Sequence, residues 1–236
     1  ARGVSNFVVF ANSPPTWATK NGLAHPGDAN SRSEIKSTNL RTDAIDAYTE
    51  FLVDVVHYLR SDKVGVPVNF LSPVNEPGWL WESQSQEANR YNIDDLKSVY
   101  LSLQRKLTTA NLDRLVQIDA AEIVEYAAAL SDKSKTEFDG AVFSSGMNDK
   151  GYGVYKNYID ELLGSAQLRE LMGNHLSMHG YFSDADLNRM GELRSLVWQE
   201  VQKVSPGAKI WMSEYSILGK AGDARPFEGA GFATDD

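Results

Sequence analysis

The chain has 236 residues, with 23 Lys plus Arg against 32 Asp plus Glu, a formal net charge of −9. At 42% hydrophobic and 10% aromatic residues it is too apolar for a disordered chain and long enough to bury a core without staples. The acidic balance lacks the basic footprint of a nucleic-acid binder, no apolar run reaches the length of a membrane span, and the absence of Cys excludes disulfides, thiolate metal sites and a Cys nucleophile.

Short apolar runs alternate with helical patterns. Phe7 to Ala11 is a β-branched and aromatic run, stopped by Asn12-Ser13-Pro14-Pro15. Thr42 to Arg60 carries Ile45, Tyr48, Phe51, Leu52, Val55, Val56 and Leu59 at spacings of three and four, which predicts an amphipathic helix with His57 near its apolar face. Gly65-Val66-Pro67 ends it, and Val68 to Leu71 predicts a buried strand. A second helix is expected over Asp94 to Leu107, a strand over Leu115 to Asp119, and a weaker one at Ala141 to Phe143. Tyr155 to Met172 predicts one continuous helix, followed by a strand from Leu176 to Tyr181. Asp184 or Asp186 is placed to cap a helix carrying Leu187, Met190, Leu193, Leu196, Val197 and Val201. Ser205-Pro206-Gly207 stops it, and Lys209 to Ser213 is the next strand. The tail from Gly219 lacks periodicity.

This alternation predicts an α/β fold with a parallel sheet, right-handed crossovers and near-continuously apolar strands. Periodicity alone fits a doubly wound open sheet and a (β/α)8 barrel equally. In both, ligands bind at the carboxyl ends of the strands. The residues there are Asn12, Ser13 and Trp17; then Asn75, Glu76 and Trp79; then Glu122; then His179 and Tyr181; and last Glu214 and Tyr215. Gly151-Tyr152-Gly153 lacks a third Gly and follows no strand, so no dinucleotide cradle is expected. No H-E-x-x-H and no G-x-S-x-G occur. No metal and no cofactor is expected. Two Glu on different strand ends suit acid/base or nucleophilic work on a neutral substrate, as in glycoside hydrolysis, with Trp faces to stack on sugar rings. A merely solvated polar rim is the alternative on spacing alone.

Four motifs carry a resemblance. Ser72-Pro-Val-Asn75-Glu76-Pro77 contains an Asn-Glu-Pro signature, and Asn12 to Gly22 has the Ser-Pro-x-x-Trp pattern, with Ala18 in place of a common Met. His179-Gly180-Tyr181 and Trp211-Met212-Ser213-Glu214 end the last two strands. Together they resemble glycoside hydrolase family 30, retaining enzymes with a (β/α)8 TIM-barrel fold. The resemblance covers most of residues 3–218 and implies Glu76 as general acid/base and Glu214 as nucleophile. It further implies that Asn75 bonds the sugar 2-hydroxyl, that Tyr181 holds Glu214, that His179 supports that network, and that Trp17 and Asn12 line the subsite. Trp79 and Trp81 stand as sugar platforms or loop packing, and Glu122 and Asn148 as further residues that could face the sugar.

Aligned on these motifs, the five clear strands resemble the third to seventh of the barrel, so residues 1–236 are expected to form a partial (β/α)8 catalytic domain with no second domain. The piece alone is expected to have little or no activity. The resemblance implies a retaining endo-β-glycanase, a β-linked oligosaccharide or polysaccharide as partner, a monomer, and an extracellular or exported location. The run from Asn75 to Glu82 is most similar to the endo-β-1,6-galactanase branch. A β-1,6-glucanase, a β-fucosidase or β-xylosidase, and a non-catalytic carbohydrate-binding relative are the alternatives.

Overall fold

The computed structural model describes residues 3–27, 37–79, 81, 86–131, 156–181 and 190–215, with the backbone of 218–219 and 231–232. The predicted strand at 141–143, Asn148 and the cap at Asp184 or Asp186 lie outside them.

Three strands pair in parallel, β1 (Val8–Phe10), β2 (Phe70–Ser72) and β3 (Gln117–Ile118). Two more, β4 (His175–Met178) and β5 (Lys209–Met212), also pair in parallel. A parallel bridge between Ile123 and Met178 joins the two groups. The strands therefore follow one another in chain order, without the reversal that marks a doubly wound sheet. A further pair, Leu218–Gly219 with Gly231–Phe232, is antiparallel. The architecture is mixed α/β with parallel strands and crossover helices.

Helix α1 (Ile45–Arg60), preceded by a 3-10 turn at Thr42–Ala44, buries Tyr48, Leu52 and Val56. It packs on α2 (Ile93–Thr109), which buries Leu96, Tyr100, Leu103 and Leu107. The Asn92 side chain caps α2 by accepting from the Asp95 amide at 2.9 Å, satisfying one orphan donor of the first turn. Each fully buried Leu contributes about 1.5–3 kcal/mol. Two expectations for α1 are corrected. His57 is exposed. Phe51 is 42% exposed and meets the Trp17 ring edge-on at 6.3 Å.

The expected long helix over 155–172 is two pieces. A π-helical turn at Ile159–Leu163 ends at Gly164, and α4 (Ala166–Leu171) starts again under the Ser165 side chain, which accepts from the Leu168 amide. Before these, α3 (Tyr126–Ala129) is a single turn. After them, α5 (Met190–Val204) buries Leu193, Val197 and Val201. At Gly164 an added Cβ would collide with the Asp160 carbonyl oxygen. Gly followed by Ser was a stop-and-restart signal that the apolar spacing hid.

Strand β4 also departs from the expected apolar run. His175, Ser177, His179 and Tyr181 alternate with Leu176, Met178 and Gly180, and all seven except Tyr181 are buried. The polar set faces other strands' polar groups, because successive side chains point to opposite faces. The outer strands β1 and β5 expose Val8, Phe10 and Met212.

Candidate active site

The turn after β2 is clamped from several sides. The Tyr48 hydroxyl donates to the Pro73 carbonyl at 2.6 Å. The Tyr91 amide donates to Pro77 at 3.0 Å, and Arg90 Nε to Gly78 at 3.1 Å. The Glu76 amide donates to the Glu122 carbonyl at 2.9 Å. Glu76 has φ 43° and Glu122 φ 52°, left-handed conformations that cost a non-Gly residue of order 1–3 kcal/mol and cluster at functional sites. The fold thus holds two carboxylates in strained positions at the ends of β2 and β3.

His179 stands between them. Its Nδ1 lies 2.8 Å from Glu76 Oε1 and its Nε2 2.9 Å from Glu122 Oε2. Nδ1 is also 3.6 Å from Glu214 Oε2. The Tyr181 hydroxyl donates to Glu214 Oε2 at 3.2 Å. One ligand-type atom from each of Glu76, His179 and Glu214 falls within 4.8 Å of the others. Backbone bonds fix this meeting: His179 N to Ile123 O at 2.7 Å, Gly180 N to Glu214 O at 2.8 Å, and Ser213 N to Met178 O at 3.2 Å. Gly180 lets the chains pass closely here, since a Cβ would lie 2.8 Å from the Tyr215 ring and displace it. The set has the donor types of a metal site. However, both ring nitrogens already face carboxylates, so a doubly donating imidazolium has no lone pair for an ion.

The electrostatics follow from burial. Glu76 is raised above the usual carboxylate range by desolvation, which outweighs the lowering from His179, and Glu214 adds repulsion. Glu122 is likewise raised, chiefly by burial. Burial alone would depress His179, yet its bonds to Glu122 and Glu76 push it up to about 9. Desolvation and then the charge of Glu214 push the Tyr181 phenol up to about 12, so it stays a donor.

The His179 value has a consequence for stability. The folded group binds its proton more tightly than the unfolded one, with 6.5 as the ordinary value. Its contribution is therefore complete below about pH 6.5 and is lost as pH rises through about 9. That contribution is on the order of 3 kcal/mol. Urea unfolding across pH 6 to 9.5 should show this decline in the native protein and not in His179→Gln. A parallel fall in both proteins would refute the charged imidazole.

In front of these groups lies a cleft of about 400 Å³. Asn12, Asn75, Glu76, Trp79, Trp81, Tyr181 and Glu214 line it, as do Phe10, Gln86 and Val124, which sequence reasoning did not single out. Trp79 and Trp81 stand with ring centroids 6.5 Å apart at 64°. Asn75 Oδ1 is buried without a hydrogen-bond partner among the described residues. Trp17 is not among the lining residues; it packs on Phe51 of α1 instead. His179 is wholly buried and reaches the cleft only through its carboxylate partners. Glu122, a residue that could face the sugar, bonds Nε2 of the His179 ring, on the side away from Glu76. It lines a second hollow of about 540 Å³ with Asp119, Trp211 and Ser213, and this hollow shares Phe10 and Glu214 with the first cleft. The polar alternation of β4 was the available signal for this inner network. There Asp119 also accepts from Ser177 and lies 3.0 Å from His175 Nε2, and His175 stacks on Trp211 at 4.1 Å.

A solved structure described as a conserved exported protein from Bacteroides fragilis is similar, with a TM-score of 0.70 and 25% identity. The similarity covers 95% of this chain and 42% of that one, so this chain spans less than half of that protein's length. No curated protein sequence matches the chain. Residues 1–232 match O-glycosyl hydrolase family 30, the family to which this chain belongs.

Proposed function

We propose that this chain carries the cleft of a retaining endo-β-glycanase, with Glu76 as general acid/base and Glu214 as nucleophile. Membership of a glycoside hydrolase family makes glycosidic-bond hydrolysis the expected chemistry. The observation that carries the roles is the approach of the two carboxylates, oxygen to oxygen within 4.8 Å. Retaining enzymes hold their carboxyl groups about 5–5.5 Å apart, whereas inverting enzymes leave about 6.5–9.5 Å for a water.

In the first step the Glu76 carboxyl proton passes to the glycosidic oxygen, a Glu214 oxygen bonds to the anomeric carbon, and the bond to the leaving sugar breaks. Burial and the Glu214 charge keep Glu76 protonated for this. Esterification then removes the Glu214 charge. Glu76, now ionised, takes a proton from water, which displaces Glu214. Asn75 Oδ1 is an unfilled acceptor for a sugar hydroxyl, and Trp79 and Trp81 offer apolar faces to the ring.

The substrate we infer is β-1,6-galactan, with β-1,6-glucan next, on the likeness of residues 75–82 to that branch. A protein acting on such polymers works outside the cell, and the similar structure is described as exported. We further infer that β1 to β5 are the third to seventh strands of a (β/α)8 barrel. The sequential parallel order and the apolar residues exposed on β1 and β5 support this. The test is product stereochemistry by proton NMR, with the intact protein and a panel of β-linked oligosaccharides. A β-anomer as first product is expected; an α-anomer would discard Glu214 as nucleophile.

A further inference from the structure

We propose that Glu122 is a positioning residue for the reaction, holding His179 as the oriented hydrogen-bond partner of Glu76 through the ring nitrogen away from Glu76. The role rests on the glycosidase reading above.

The geometry is that of a carboxylate, an imidazole and a carboxylate in line. Glu122 Oε2 lies 2.9 Å from Nε2 and Glu76 Oε1 2.8 Å from Nδ1. A neutral imidazole has only one N–H, so it cannot donate to both. With Glu122 ionised, Nε2 carries a proton permanently. Nδ1 is then the nitrogen that shares a proton with Glu76. The Ser213 hydroxyl donates to the same Glu122 oxygen, which favours the ionised form. Glu122 is 2% exposed, and such a carboxylate is costly unless paired. Its backbone is strained as well, and its carbonyl holds the Glu76 amide. It lines not the cleft of Asn75 and the two Trp but the adjoining hollow, which Glu214 and Ser213 also line.

The charge balance gives the role its content. From the end of β2 the ring faces Glu76, from the end of β3 Glu122 with Asp119 behind it, and from the end of β5 Glu214 beside Ser213. On its own strand lies Tyr181, with ring centroids 5.7 Å apart. An uncompensated imidazolium would pull the proton off Glu76, which the first step needs. The Glu122 charge offsets it.

Glu122→Gln removes one negative charge while keeping the shape. Every proton in the cluster is then released more easily. The pH at which kcat/KM falls on the basic side should drop by about one unit, a tenfold change in the proton equilibrium. The 15N shifts of the His179 ring, followed by NMR in the intact protein, should show two protonated nitrogens at pH 7.5 in the wild type. In Glu122→Gln the ring should lose its proton at lower pH. Glu122→Asp retains the charge and should keep the basic limb at its wild-type position, with a lower kcat from the shorter reach. A basic limb unmoved by Gln, or moved equally by Gln and Asp, overturns the proposal. So does a neutral His179 ring in the wild type at pH 7.5, which needs no variant that folds. If the wild type hydrolyses no β-glycoside, the glycosidase reading falls and takes the reaction role with it. The nitrogen shifts would still show whether Glu122 sets the charge of His179.

Discussion

Glu214→Ala in the intact protein is expected to lose hydrolysis by on the order of 10⁵-fold or more, in the range set by removing a nucleophile from a covalent mechanism. The loss should be the same for a β-linked oligosaccharide and for an aryl glycoside with an acidic phenol. A better leaving group cannot replace the oxygen that attacks the anomeric carbon. Glu214 is held for that attack by the Tyr181 hydroxyl at 3.2 Å, and its side chain keeps 38% exposure toward the cleft. Small anions such as azide fit the space left by the carboxylate. They should restore turnover of the aryl substrate and give a glycosyl azide of inverted configuration. Steady-state rates on both substrates, with and without azide, decide the matter. Retention of more than a tenth of wild-type activity would remove Glu214 from the chemistry.

Glu76→Ala should behave differently, because it removes a proton donor rather than a bond-forming atom. With a sugar as leaving group the loss should be about 10²–10⁴-fold, the usual worth of general acid catalysis. With a phenol that leaves without protonation, the first step should survive while the second, now lacking its base, becomes slow. A burst of phenol followed by a slow steady state is therefore expected. Azide should accelerate the second phase with retained configuration, since it attacks from the Glu76 side. Equal losses on both substrates and no burst would reassign Glu76 to a structural part in the buried ring with His179 and Glu122. Carbohydrate binding should persist in both variants. A non-catalytic relative would show binding alone, in the wild type as well.

The two glutamates were legible before the fold because each ends a short apolar run followed by a turn, and strand ends are where parallel α/β folds place their chemistry. The same reasoning placed Asn12, Asn75 and Trp79 on that rim, where the cleft also lies. It misplaced Trp17, because a strand-end aromatic can turn outward when a helix offers a ring, as α1 offers Phe51. It read 155–172 as one helix because apolar spacing continues across Gly164-Ser165, while the backbone at Gly164 leaves no room for a Cβ.

Composition, periodicity and four short motifs thus determined the α/β class, the order of the strands along the chain, and the placing of Glu76 and Glu214 at strand ends. Those properties are local, set by side-chain spacing and by what a turn will accept. Tertiary structure alone decided how close Glu76 and Glu214 come, that two carboxylates flank the His179 ring and raise its proton affinity, and that Glu122 bonds the ring nitrogen opposite the one facing Glu76. Distances and burial depend on which strand lies beside which, and proton affinities depend on both. That pairing, β3 beside β4 through Ile123 and Met178, is what gathers carboxylates from three strand ends onto one imidazole.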